Sequence, residues 1–278
     1  MNINPLTERL VSVCRSFRIL IAIAAVATFW SCNSENGQKK QGDMDDVVFL
    51  ISEDPNNYEA HLTIPEFASQ LENNFPIKAH VLLGDGPQNA YQFPDLGILE
   101  EAELLVVFCR RLALPEDQMQ AIKNYIERGK PVMGIRTANH AFSVREDSIP
   151  SGYTDWWEFV PEVLGSTNEG YGPVEPGTTI SVVSSAATHP ILHGIEETYW
   201  HSIGNVYKVG ESLDEKATVL LRGEVQEEGL DEPVAWIREN QYGGQVFYSS
   251  VGHPEDFKNK DNIKILNQAI AWLIQHSN

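Results

Sequence analysis

Residues 131–142 read PVMGIRTANHAF, and this stretch decides the fold. Pro131 to Ile135 is a short uncharged run, the pattern of a parallel strand buried on both faces. Arg136-Thr137 break the run, and small and apolar residues then return to Phe142, so a turn into a helix is expected. A strand that turns sharply into a helix delivers one side chain to the carboxyl edge of an open α/β sheet, where such folds bind ligands. The residue at that elbow is Arg136.

Upstream, Asp46–Ser52, Ile77–Leu83 and Leu104–Cys109 are further apolar runs that read as strands. Between the first two, Leu62, Phe67, Leu71 and Phe75 recur at helical spacing, which predicts a helix over His61–Phe75. Leu114-Pro-Glu-Asp117 opens a second helix, expected to run to Arg128. Proline stands just inside it, acids face the positive end of its dipole, and Gly129 follows its end. This alternation predicts an α/β fold: three layers, doubly wound, with a mostly parallel sheet and right-handed crossovers. Downstream, strands are expected at Thr179–Ser184, Ala217–Leu221, Pro233–Arg238 and Gln245–Ser250, and a last helix at Asn262–Gln275. No linker divides residues 45–276, which read as one domain.

Residues 1–31 have a different character. Arg9, Arg15 and Arg18 precede the uncharged run Ile19–Trp30, too short for a comfortable membrane span and the size of a signal-peptide core. Ser31-Cys32 follows, as at a bacterial lipoprotein cleavage site. The expectation is a signal peptide over 1–31, lipidation of Cys32, membrane attachment through that lipid, and a polar tether over 32–44. The chain would then be exported and anchored at the periplasmic or cell surface. Of the three cysteines, 14, 32 and 109, only Cys109 belongs to the folded part, so no internal disulfide is available there.

Across 278 residues, 20 Lys and Arg face 39 Asp and Glu, a formal charge of −19. That balance, without a basic stripe, argues against nucleic acid as a partner. A 42% hydrophobic content is ample for a core.

Residues just past the apolar runs should gather on one rim: Glu53 and Asp54, then Arg110 and Arg111, then Arg136 to His140, then the segment after Ser250. Arg136 can hold an anion or sugar hydroxyls through its planar fork, or pair with Glu53. Thr137 can donate one hydrogen bond. His140 would share a helical face with Arg136, and the alternative is a buried histidine with its hydrogen bonds satisfied. Gly252-His-Pro-Glu255 ends a strand on the same rim. His253 held by Glu255 would form a general base, and the alternative is a turn capped by the histidine. Tyr153, Trp156, Trp157 and Tyr171 cluster after the elbow, and rings of this kind stack on sugars. Trp156 and Trp157 are expected to split, one inward and one toward the cleft, with Trp157 assigned to the substrate. No metal site is assigned and no cofactor is expected, since His140, His253 and Glu255 would make three ligands only if they converge.

Gly134-Ile-Arg-Thr-Ala-Asn-His-Ala-Phe142, Pro233-Val-Ala-Trp236 and Gly244-Gln-Val-Phe-Tyr-Ser-Ser-Val-Gly-His253 resemble the ThuA-like (trehalose-utilisation) family. Glu53 with Tyr58-Glu59, and Phe108-Cys-Arg-Arg111 with Leu114-Pro-Glu-Asp-Gln-Met119, resemble the branch often found as exported proteins. The resemblance implies a class I glutamine amidotransferase-like (flavodoxin-like) fold and a role in catabolism of sugars, including keto-disaccharides. Amidotransferases carry a cysteine at the elbow, where this chain has Arg136, so glutamine hydrolysis is not expected. The expected activity is acid/base chemistry on a small carbohydrate by Arg136, His140, His253 and Glu255. Glu53, Tyr58, Glu59, Arg110, Arg111, Thr137, Trp157 and Tyr171 would bind the substrate. A sugar-binding or interaction protein with a degenerate cleft is the alternative.

Overall fold

A computed structural model of the chain describes residues 44–145 and 148–277. The expected signal peptide, Cys32 and nearly all of the tether lie outside the described residues.

Asp45–Ile51 forms β1, and Val47 to Ile51 are buried because the strand is covered on both faces. The side chains alternate. Val47, Phe49 and Ile51 pack with Ile64, Phe67 and Leu71 of helix α1 (Ala60–Asn74) and with Leu266 and Ile270 of α3 (Lys260–Gln275). Val48 and Leu50 pack with Met119, Ile122 and Ile126 of α2 (Glu116–Glu127). Helices therefore cover both faces. In α1 the buried stripe is Ile64, Phe67, Ala68 and Leu71, while Leu62, expected on the apolar face, points to solvent. Asn259 caps α3, its Oδ1 accepting from the N–H groups of Asp261 and Asn262 at 2.9 Å.

The other strands are β2 (Ile77–Leu83), β3 (Leu104–Phe108), β4 (Leu114–Pro115), β5 (Val132–Ile135), β6 (Tyr153–Thr154), β7 (Thr178–Val182), β8 (Tyr199–Ser202), β9 (Thr218–Val225), β10 (Leu230–Glu239) and β11 (Gln245–Ser249). β4 pairs with β6, and the remaining nine form one sheet in the order β2-β1-β3-β5-β11-β10-β9-β7-β8. From β2 to β11 the pairing is parallel. From β11 to β8 it is antiparallel. The expectation of a mostly parallel sheet thus holds for the first half only, and the whole sheet is mixed. Short connections explain the second half: β9, β10 and β11 are joined by tight turns, which can link only antiparallel neighbours. β8 was not foreseen; it is a four-residue strand with only Trp200 and Ser202 buried.

The strand–turn at Arg136 forms as expected, but the helix after it does not. Arg136–His140 is a single 3-10 turn. The carbonyls of His140 and Ala141, which a continuing helix would use, instead accept from the N–H groups of Arg111 (3.0 Å) and Leu112 (2.7 Å). The turn is thereby tied to the segment after β3. Phe159–Leu164 makes one buried π-helical turn, and the Leu164 carbonyl accepts from Trp236 Nε1 at 2.8 Å. Trp236 is fully buried beside Tyr248, with ring centroids 4.5 Å apart. Replacing Trp236 by Ala is expected to lower the unfolding free energy by about 3–5 kcal/mol, measured by urea denaturation followed by circular dichroism.

Candidate functional site

β1, β3, β5 and β11 run parallel, so their carboxyl ends share one edge of the sheet, with Ile51 opposite Phe108 and Ile135 opposite Ser249. Asn57 joins three of these ends. Its Nδ2 donates to the carbonyls of Ser52 (2.8 Å) and Phe108 (3.0 Å), and its Oδ1 accepts from Thr137 Oγ1. Thr137 therefore spends its hydroxyl on the scaffold, against the expectation that it would face substrate. The non-glycine residues with positive φ among the described residues are Tyr58 (51°), Glu59 (50°), Arg111 (55°) and Arg136 (45°). All follow β1, β3 or β5. Side chains tolerate this backbone poorly, and such strain concentrates at functional sites.

Arg136 is 1% exposed. Its Nη1 donates to the Ser250 carbonyl at 2.7 Å and its Nη2 to Asn205 Oδ1 at 2.9 Å. The guanidinium lies 3.9 Å from the Tyr58 ring centroid and 4.8 Å from that of Tyr207. It does not pair with Glu53, whose exposed carboxylate lies 3.9 Å from His61 Nε2. Gly204 and Gly252 make room: a Cβ at Gly204 would fall 2.9 Å from Arg136 Nη1, and one at Gly252 2.8 Å from Ile135 Cγ2. Burial disfavours the charge of Arg136, but Tyr207, Tyr58 and Asp256 outweigh it and hold the guanidinium protonated. Burial also opposes ionisation of Tyr58. Arg136, a bond from Tyr207 and Arg110 overcome that and bring the phenol below its ordinary value.

His140 is 4% exposed. Its Nδ1 lies against Asn139 Oδ1, with Asn168 Nδ2 3.1 Å from the same nitrogen. Asn139 Oδ1 calls for a proton on Nδ1, whereas the Asn168 amide, its own oxygen engaged by the Gly170 N–H, calls for a lone pair there, so the ring is held in place from both sides. Burial, then Arg111, Arg110, Arg145 and Arg136, hold His140 well below the ordinary histidine value, so it is neutral at neutral pH. Its ring meets those of Tyr171 and Tyr207, both at 6.2 Å. A cavity of about 230 Å³ is lined by His140, Asn139, Ser143, Arg145, Trp157 and Asn168, among others. Trp157 is 48% exposed there while Trp156 is buried, as expected of the pair.

His253 and Glu255 do not form the expected pair. His253 caps residues 254–258: its Nδ1 accepts from the Glu255 N–H at 3.3 Å, and its own N–H donates to Asp256 Oδ2 at 2.8 Å. Glu255 turns outward to Lys258 at 2.5 Å. The carboxylate that organises this turn is Asp256, 3% exposed and also held by Ser202 Oγ at 3.0 Å. Pro254 at the first helical position with an acid three residues after the histidine is a capping pattern, and that signal was present in the sequence. The His253 ring meets Tyr58, with centroids 5.9 Å apart. Arg110 joins the rim paired to Asp54 at 3.4 Å, and Glu59 stands exposed beside Pro254 and Glu255. Asp256 was missed although the capping signal is local, and Asn57, Asn205 and Tyr207 were missed because their roles depend on contacts distant in sequence. Among the described residues, no three His, Cys, Asp or Glu side chains assemble as a metal donor set.

The family model described as ThuA, trehalose utilisation, matches residues 50–273. The chain belongs to the ThuA family. Among curated proteins, none matches it. Its fold is similar to that of a ThuA-like protein from Bacteroides uniformis, at 14% identity and TM-score 0.59, covering 82% of this chain and 91% of that one. A ThuA-like protein from Parabacteroides merdae is similar at 12% identity and TM-score 0.59, over 83% and 90%. A carbohydrate deacetylase is similar at 14% identity and TM-score 0.52, over 84% of this chain but 32% of its own length.

The depressed values of His140 and His253 fix a sign for this ThuA-family protein. The unfolded chain binds more protons than the folded one as pH falls through the ordinary histidine value of about 6.5, so stability is lost there. Urea unfolding is expected to show a lower midpoint at pH 5.5 than at pH 7.5, and the drop should shrink in His140→Gln.

Proposed function

We propose that this ThuA-family protein performs acid/base chemistry on a carbohydrate, with His140 as the base and Tyr58 as its acid partner. The observation that carries this reading is the neutral His140, fixed through Asn139 and bordering a cavity that holds the exposed Trp157 ring. The proton acceptor is the neutral imidazole of His140. Tyr58 donates its hydroxyl to Asn205 Oδ1 at 3.3 Å, and Tyr207, which lowers the Tyr58 phenol, has its ring tilted to that of His140 with centroids 6.2 Å apart. Arg136 acts from beneath: its buried charge lowers the Tyr58 phenol rather than gripping substrate. The family description supports a sugar, and keto-disaccharides are the first substrates to try. Cys109 is no hidden nucleophile, because full burial pushes its thiol well above the ordinary value.

We also assign the fold to the class I glutamine amidotransferase-like, flavodoxin-like arrangement. The parallel order β2-β1-β3-β5 with helices on both faces supports it. Export as a lipoprotein anchored through Cys32 rests on the basic, apolar and Ser-Cys pattern of the first residues.

Turnover should be screened by mass spectrometry against disaccharides and their 3-keto derivatives. His140→Gln is expected to reduce turnover by about 10²–10⁴-fold with an unchanged circular dichroism spectrum. Turnover at the unaltered rate in that variant would remove His140 from the chemistry, and binding without product in the parent chain would favour a sugar-binding protein. Labelled palmitate is expected to mark the parent chain in bacterial cells and to leave Cys32→Ser unmarked.

A further inference from the structure

We infer that the cavity beside His140 selects a sugar that bears a carboxylate, a uronic or aldonic acid, with Arg145 as the residue that meets the anion. The inference rests on the reading of that cavity as a sugar site.

The chain as a whole carries −19, yet positive charge is concentrated at this cavity. Three arginines are paired, Arg110, Arg222 and Arg238 with Asp54, Asp231 and Asp214 at 3.4, 2.6 and 2.7 Å, while Arg128, away from the cavity, donates to the Leu99 carbonyl at 2.9 Å. Arg111 and Arg145 have no carboxylate partner among the described residues. Arg145 lines the cavity and is exposed. Arg111 stands behind it, 7% exposed, donating from Nη1 to the carbonyl of the cavity residue Ser143 at 3.3 Å and bonding Tyr171. Burial, then repulsion from Arg145, works against the charge of Arg111, and both arginines help to depress His140. Burial and the repulsion from Arg145 both weigh on the charge of Arg111, and an anion at the cavity would offset that cost for the two arginines together.

Three features narrow the anion to a sugar acid. Trp157 offers a ring face, and the bond from its Nε1 to Asp155 Oδ2 at 2.7 Å holds the indole in place. The cavity, about 230 Å³, lies below the roughly 300–1,000 Å³ of pockets for drug-sized ligands and suits a single sugar unit. The planar guanidinium fork takes a carboxylate, as it takes a phosphate, with two parallel bonds, and binding of uronates against 6-phosphates separates the two. No lysine lines the cavity, and the short 159–164 turn offers no helix N-terminus suited to a phosphate.

Calorimetry with the full chain tests this, using glucuronate, galacturonate and mannuronate against glucose, galactose and mannose, with the 6-phosphates as a third set. At least one uronate is expected to bind about tenfold more tightly than its neutral parent, a difference of about 1.4 kcal/mol. Arg145→Gln, at an exposed position, should fold normally and abolish that preference while neutral-sugar binding persists. Rising salt should weaken uronate binding alone. Equal binding of uronates and parents, a preference untouched by Arg145→Gln, or phosphates outranking uronates would each overturn the inference. A neutral sugar turned over in a His140-dependent way, without uronate preference, would leave the proposed function standing and remove this inference. Uronate preference with no turnover of any sugar would do the reverse. Failure of every sugar to bind would remove both.

Discussion

The edge that carries the site depends on one side chain, Asn57. The amide is fully buried and joins the carbonyl after β1, the last carbonyl of β3 and the hydroxyl after β5. Parallel strands end with unpaired carbonyls, and buried ones must find donors. A side-chain amide can satisfy two of them and accept a third bond. The consequence is geometric. With three strand ends clamped together, the residues immediately following them are forced into tight reversals, and Tyr58, Arg111 and Arg136 take up left-handed backbone there. The strain of the rim and its rigidity have the same origin.

Arg136 turns that rigidity into electrostatics. A buried guanidinium normally requires a carboxylate close by, but here its hydrogen-bonding partners are Ser250, Asn205 and the faces of two tyrosines. Asp256, a carboxylate that helps to hold the Arg136 charge, is itself engaged by Ser202 and the His253 N–H. The positive charge is therefore not cancelled locally. It lowers the Tyr58 phenol and contributes to the depression of both His140 and His253. One fixed cation thus favours an ionisable phenol and two neutral imidazoles, the protonation states that acid/base chemistry near neutral pH requires.

Much of this was legible in the sequence, for reasons that differ by element. β1, β3 and β5 are buried on both faces and so appear as unbroken apolar runs, and the turn at Arg136 was visible as an interruption of one of them. The mixed character of the sheet was not visible, because a run such as Gln245–Ser249 reads alike whichever way its neighbour points. Residues brought to the rim by strand ends, namely Arg110, Arg136 and His140, could be named in advance. Asn57, Asn205 and Tyr207 could not, because what gives each a role is a contact across 51, 69 or a similar number of residues. The His253–Glu255 pair failed for a local reason. At a proline-led turn the histidine ring is claimed by a backbone N–H, and the neighbouring carboxylate is directed outward to Lys258.

The charge of the chain acquires a different meaning once the arginines are located. A protein of net −19 repels anions at long range, so a cleft that binds one must supply its own local field. Screening limits such repulsion to about 8–10 Å at physiological salt, and a handful of arginines within that distance of one cavity can reverse its sign. Arg110, Arg111, Arg136 and Arg145 all act on His140, and among the described residues Arg110 alone of the four has an aspartate partner. Arg222 and Arg238, by contrast, are paired with aspartates. Leaving the cations at the cavity unmatched raises the energy of the unliganded protein and lowers it again only when something negative enters. That difference between the empty and the filled cavity is the physical content of specificity here.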